Sequence, residues 1–330
     1  MKTKKFISVI IPTYNCKAYV KHTIESVLKQ TYRNFELIII DDCSTDGTYE
    51  YVSKLIKNIN IKAIILQTKK NSGTVAHPRN IGVKKSKGDL ICFLDSDDIW
   101  EKNKLAIQVE EYVNDKTIHF TAAKYFNQNG FKSNIVINLL RKFFQQFVIT
   151  RVNKTDYHWF YLYNPVIVSS VLINKKILIN NTFDENINSR EDYDLWIRLR
   201  KKKFKFKFNK NILVRICRRD KSMSSNLRKE LITTIRSLSN VFFKINKFSK
   251  INFFLFGIIL KFSITFIKLN VVKISAFFKK SLILIAVGFF ITFYSPLFWY
   301  LGKPLLYFDT ANSYKDIKNI VLFSGHGSTS

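Results

Sequence analysis

Along the first hundred residues, short β-branched apolar runs alternate with stretches whose apolar positions recur at helical spacing. Phe6–Ile11, Phe35–Ile40, Ile61–Leu66 and Leu90–Leu94 read as four strands. Between the first two, Ala18, Val20, Ile24, Val27 and Leu28 fall on one helical face. Tyr49–Ile56 and Val75–Lys85 read as two more helices, and Pro78 is expected to confine the latter to the residues after it. Continuous apolar strands need cover on both faces, which helical crossovers supply. The pattern therefore predicts an α/β fold with a mainly parallel central sheet and flanking helices.

Beyond residue 99 the periodicity weakens. Asn127–Gly130 reads as a turn, and Arg141–Phe147 is a basic aromatic stretch to which the pattern gives no role. Arg190–Lys201 reads as a helix, Phe204–Phe208 alternates with lysines as an edge strand would, and Ile212–Ile216 forms another strand. Then the character changes. Ser281–Gly302 carries no charge over 22 residues, enough to cross a bilayer core of ~30 Å. Lys279 and Lys280 precede it, and Tyr294, Trp299 and Tyr300 lie towards its far end as interfacial anchors. Upstream, Asn252–Phe278 is apolar but interrupted by Lys261, Lys268 and Lys273, the pattern of a helix lying in a membrane interface. The chain thus divides into an α/β domain (1–230), membrane-associated helices (231–302) and a tail (303–330). In the tail, Ile320–Phe323 and the loop Ser324–Ser328 resemble the opening of a further, incomplete domain, and these last residues are expected to be poorly ordered.

Charge sharpens this division. Lysine and arginine number 54 against 24 acids, a formal net charge of +30. After Asp194 the only acids are Asp220, Glu230, Asp309 and Asp316, so the excess is concentrated beside the apolar segments. An anionic membrane surface is the partner this asymmetry predicts. A basic, membrane-tethered binding module for a polyanion is the competing reading, but no nucleic-acid-binding motif accompanies the charge and no nucleic acid is expected. Cys16, Cys43, Cys92 and Cys217 are widely spaced without a CxxC pair, as free thiols in a reducing compartment are. The basic start Met1–Lys5 leads into a short apolar run without a small-residue cleavage site, unlike a signal peptide. With positive residues crowding the N-terminal side of 281–302, the α/β domain is expected on the cytoplasmic face of the membrane.

Candidate chemistry lies at the strand ends. Thr13-Tyr14-Asn15 follows the first strand, Asp41-Asp42 the second and Asp95-Ser96-Asp97-Asp98 the fourth. In a parallel sheet these loops converge on the carboxyl edge, where ligands bind. Asp and Asn are also common turn residues, which accounts for any one cluster but poorly for their shared position. Carboxylates spaced as in Asp95–Asp98 suit Mg²⁺ or Mn²⁺, ions that keep coordination positions open for substrate phosphates. A second cluster, Glu191-Asp192-Tyr193-Asp194, heads a predicted helix. It offers a carboxylate base for deprotonating a hydroxyl, and equally a first turn that complements the helix macrodipole.

These segments together resemble the family-2 glycosyltransferases with the GT-A fold over about residues 6–225. The resemblance is carried by SVIIPTYN (Ser8–Asn15), FELIIIDDCSTDGT (Phe35–Thr48), NSGTVAHPRNIG (Asn71–Gly82), GDLICFLDSDDIW (Gly88–Trp100), EDYDLWIRL (Glu191–Leu199) and SMSS (Ser222–Ser225). It implies a Rossmann-like GT-A domain that takes a nucleotide-diphosphate sugar, with a weak preference for UDP. It also implies that Thr13, Tyr14, Asp41, Asp42, Arg79 and Asp95 bind the donor, that Asp97 holds the divalent cation with help from Asp95 or Asp98, and that Asp192 is the general base of an inverting displacement. By the same analogy the helix bearing Trp196 would shape the acceptor side. The implied acceptor is a lipid-linked or membrane-proximal saccharide of cell-surface polysaccharide synthesis, O-antigen or capsule. Two departures stand out: Cys43 occupies a position where relatives often have Gly, and Arg219 lies where many carry a His, placing a guanidinium that contacts diphosphate but ligates no cation.

Overall fold

The computed structural model describes residues 5–57, 59–127, 149–150, 164–187 and 189–218. The 141–147 stretch, Arg219, the SMSS segment, the two apolar C-terminal segments and the tail lie outside them. Among the described residues no helix is long and apolar enough to cross a membrane. In chain order the elements are β1 (Ile7–Thr13), α1 (Val20–Leu28), β2 (Phe35–Asp41), α2 (Thr48–Lys57), β3 (Ala63–Gln67), α3 (Ala76–Lys85), β4 (Leu90–Phe93), β5 (Ile99–Trp100), α4 (Lys104–Glu110) and β6 (Thr117–Asn127). After a 3₁₀ turn at Val168–Ser170 come β7 (Ile173–Asn174), α5 (Lys175–Ile179), α6 (Glu191–Lys201) and β8 (Lys205–Arg218).

The central sheet has the order β3-β2-β1-β4-β7. Its first four strands are parallel and β7 runs antiparallel to β4. Strand alternation sends alternate residues to opposite faces, and here both faces are apolar. Val9, Ile11, Leu37, Ile39, Leu90 and Cys92 enter one core with α1. Ile10, Ile38, Ile40, Ile91 and Phe93 enter the other with α3 and α6. Each such side chain, fully withdrawn from water, stabilises the fold by about 1.5–3 kcal/mol. The predicted mainly parallel α/β sheet is present.

Helix α3 seats closely on this sheet. A Cβ at Gly82 would overlap the Ile10 side chain, so glycine permits the approach that carries Arg79 inward. Pro78 does not cut the helix back to the residues after it, as the sequence had suggested. It occupies the first turn, where a backbone N–H has no helical partner to lose.

A second sheet, ordered β5-β8-β6, lies beyond β4. The two strands expected at 204–208 and 212–216 are one strand, β8, and it is the central strand of that sheet rather than an edge. The polar triplet Asn209-Lys210-Asn211 looks like a break, but pairing passes from Thr121↔Asn209 to Ala122↔Ile212. Lys210 and Asn211 are absorbed as a bulge. His119 is a packed residue: it is buried, stacks on Tyr112 at 5.4 Å, and burial lowers its pKa to about 4. Lys104 is fully buried under Trp100, its Nζ 3.9 Å from the ring centroid, and donates to Gln108 Oε1 at 2.6 Å.

Candidate active site

Parallel pairing in register puts Thr13 beside Asp41 at the carboxyl ends of β1 and β2, with the loop 94–98 leaving β4 alongside. The acidic residues distant in sequence therefore share one edge. Their environments differ sharply, and this sorts them.

Asp41 is fully buried and accepts from Thr13 Oγ1 (3.1 Å), Ser44 N (2.9 Å), Ser44 Oγ (2.6 Å) and Gln67 Nε2 (3.1 Å). Its carboxylate orders the turn after β2, and Thr13 is one of its donors. Asp42 accepts from Thr68 Oγ1 at 3.0 Å, Ser72 N at 3.0 Å and Ser72 Oγ at 2.7 Å, which fastens the 68–74 loop to the edge. Tyr14, 48% exposed, stands at the mouth beside them. Cys43 has φ +60°, in the left-handed region that glycine occupies without strain. Cys43→Gly is expected to stabilise the protein by roughly 0.5–1 kcal/mol, seen as a higher midpoint in denaturant; a lower one would show that the thiol itself supports the turn.

The loop after β4 is held from below. Ser169 Oγ, fully buried, accepts from Asp95 N at 3.1 Å and donates to Asp98 Oδ2 at 2.6 Å. Asp98 Oδ1 accepts from Cys217 N of β8 at 3.2 Å. Burial, reinforced by Asp95 and Asp97, drives the Asp98 carboxyl well above the usual range. Asp98 therefore points into the protein as an anchor of the loop, whereas Asp97 is only half-buried and Asp95 is 36% exposed along its side chain. Ser169 lies in the 101–190 region where the sequence carried no periodic signal.

Arg79 is almost completely buried, 3% exposed. It donates through Nη2 to Asp95 Oδ1 at 2.7 Å and through Nη1 to Glu191 Oε1, with its guanidinium 5.4 Å from the Phe183 ring centroid. Burial works against its charge, yet Asp95 and Glu191 offset that and hold its pKa above the ordinary arginine value. One side chain thus ties the acidic loop of β4 to the first residue of α6. The cluster Glu191-Asp192-Tyr193-Asp194 splits accordingly. Glu191 pairs with Arg79, and Asp194 pairs with Arg198 at 2.7 Å one turn later. Asp192 takes a 2.8 Å bond from Tyr193 N and a longer 3.3 Å contact from Asn164 Nδ2. Burial, with Glu191 next to it, raises the Asp192 carboxyl to about 7. Trp196, on the helix that the resemblance assigned to the acceptor side, is fully buried in the core and edge-on to Phe206.

The carboxylates that could serve a divalent cation are Asp97, half-buried, and Asp95, 36% exposed along its side chain. No preformed group of three or more metal-ligating side chains is present among the described residues. That composition fits a hard ion whose remaining ligands are water and substrate phosphate, and does not fit a closed structural site.

The pattern of glycosyl transferase family 2 matches residues 8–171. An uncharacterised glycosyltransferase of Rickettsia felis is 36% identical over 193 residues, which cover 58% of this chain but 30% of that protein, so the chain spans under a third of that relative's length. The Escherichia coli UDP-Glc:alpha-D-GlcNAc-diphosphoundecaprenol beta-1,3-glucosyltransferase WfaP is 32% identical over 199 residues, 59% of this chain and 70% of that one. A mannosyltransferase from Pyrobaculum calidifontis, solved with GDP-Man and Mn²⁺, superposes with a TM-score of 0.60 over 89% of this chain and 82% of its own at 14% identity, a likeness of fold.

Proposed function

Since the chain belongs to glycosyl transferase family 2, we propose that it transfers a sugar from a nucleotide-diphosphate donor to a saccharide hydroxyl with inversion at the anomeric carbon. The observation that carries this is the linked placement of Asp95, Arg79, Glu191 and Asp192 at the carboxyl edge of the sheet. The reaction needs a base for the attacking hydroxyl. Asp192, raised to about 7, is a stronger base than an ordinary carboxylate and is still ionised in useful proportion near neutrality. The donor's base and ribose would lie along Tyr14 and the Asp42 turn, with the diphosphate towards Asp95 and Asp97. A divalent cation held by Asp97 and Asp95 would supply neutralisation of the charge that develops on the leaving diphosphate. Asp98, Asp41 and Thr13 serve by holding these loops in place.

The acceptor we propose is a lipid-linked or membrane-proximal saccharide of cell-surface polysaccharide synthesis, presented at the cytoplasmic face of the membrane. Two things support it: the activity for which WfaP is named, on a diphosphoundecaprenol-linked sugar, and the charge-free stretch Ser281–Gly302. The experiment is a transfer and hydrolysis assay with a panel of UDP- and GDP-sugars. Chelation by EDTA is expected to abolish turnover and Mn²⁺ to restore it, and Asp97→Ala to lower kcat/KM by roughly 100-fold or more. Full activity of Asp97→Ala in Mn²⁺-free buffer would remove the cation from the reading.

A further inference from the structure

The edge of the sheet opposite the carboxylates has a composition of its own. Because β7 runs antiparallel to β4, with Asn174 paired to Leu90, the chain enters α5 at the amino edge. Helix α6 begins at the carboxylate edge with Glu191 and so ends at the amino edge too. The lysines on these elements meet there. Lys175 Nζ donates to Ser86 O, bringing α5 against the segment that carries exposed Lys87. Lys202 Nζ, just past α6, donates to Asn181 Oδ1 at 2.6 Å, just past α5. Lys176 and Lys203 are exposed beside them, and two exposed acids interrupt the patch: Asp89, and Asp115, which lies close enough to Lys176 to feel its charge.

One detail sets this patch apart from ordinary solvated lysines. Lys175 and Lys176 open α5, a helix of only five residues. Ile179, one turn on and therefore on the same face, is 56% exposed in the middle of the positive charge. An exposed apolar side chain ringed by lysines is what an interfacial contact with anionic lipid uses: charge for attraction and an aliphatic group for shallow insertion.

We propose that this amino edge, centred on Ile179, rests on an anionic phospholipid bilayer. With that edge down, the carboxylate edge stands one strand length, roughly 20 Å, above the lipid. At that height the acceptor hydroxyl that meets Asp192 sits at the far end of a lipid-linked chain of several sugars, not on the sugar next to the diphosphate. The inference rests on the membrane-proximal part of the functional reading and not on its chemistry.

The test uses the full chain with Ile179→Trp and vesicles of phosphatidylglycerol and phosphatidylcholine, or phosphatidylcholine alone. With anionic vesicles the added indole is expected to shift to the blue and to be quenched by brominated acyl chains beyond the native background, and with neutral vesicles to stay as in buffer. Adding Lys175→Glu and Lys176→Glu should weaken the quenching titration by roughly tenfold or more. The same two changes at Lys69 and Lys70, next to the donor turn, should leave the titration alone. Donor hydrolysis is measured in parallel. A residue 179 indole that stays in water on membrane-bound protein, or quenching that survives the charge reversal, overturns the proposal even if hydrolysis is normal. Hydrolysis absent in the unmodified chain, with quenching intact, would instead count against the catalytic reading.

Discussion

Asp192→Asn lowers kcat by about 10³-fold while leaving the donor KM within a few-fold, the expected result of deleting a general base that acts on the acceptor. The amide keeps the shape of the side chain and, through its single oxygen, the bond from Tyr193 N; it gives up the longer contact from Asn164 Nδ2 and accepts no proton. In the unmodified enzyme, kcat should rise with pH through about 7, because the carboxyl must be ionised to work. Stability should move the opposite way. The native state keeps the Asp192 proton up to about 7, while an unfolded chain releases it near ~4. Native protein therefore binds the extra proton across that window, and this group costs stability as pH climbs through it. Asp192→Asn should accordingly melt higher than the unmodified chain at pH 8, with the gap closing below about pH 5. A variant that is inactive yet more stable separates a functional strain from a folding defect. Equal Tm values at pH 8 would show that the carboxylate is not ionised against a penalty there.

Arg79→Met should destabilise the protein by about 3–5 kcal/mol in a urea titration, since it strands Glu191, 5% exposed, as a buried charge without its partner. The double variant Arg79→Met with Glu191→Gln should recover the greater part of that loss while remaining a poor enzyme. Stability returns once no lone charge is buried, but the link between the β4 loop and α6 stays cut. Additive losses in the double variant would mean that the two side chains do not act on each other, and the reading of Arg79 as a bridge would fall. Its reach to Asp95 and Glu191 also refines the role expected from resemblance. Arg79, 3% exposed, holds the loop after β4 and α6 at one spacing.

The parts of this fold that were legible in the sequence are those whose physics is local. Strands β1, β2 and β4 are apolar on both faces, so a run such as Leu37–Ile40 announces itself without a partner. Helix α6 was visible from its acidic start and basic end. Strand β8 was misread because Asn209-Lys210-Asn211 is a good turn by composition; only pairing with β6 makes it a bulge. Strand β6 itself was missed, since its buried positions include Thr117, His119 and Thr121, which carry no apolar alternation. The site follows the same division. Carboxylates at strand ends could be placed from chain order alone. Which of them face substrate and which brace loops could not, because Ser169 meets Asp95 and Asp98 across more than seventy positions of chain and Arg79 meets Glu191 across more than a hundred.

The four thiols of the described residues are unevenly placed. Cys16, Cys92 and Cys217 are buried, whereas Cys43 is half-exposed in the turn beside Asp42. Burial also pushes the Cys16 thiol up to about 11 and raises that of Cys92, so neither offers thiolate to an alkylating reagent while the fold is closed. The protein thereby carries a native labelling handle in the turn beside Asp42 and three buried reporters in its core: modification of Cys43 reads access to that turn, and the later ones time the opening of the sheet.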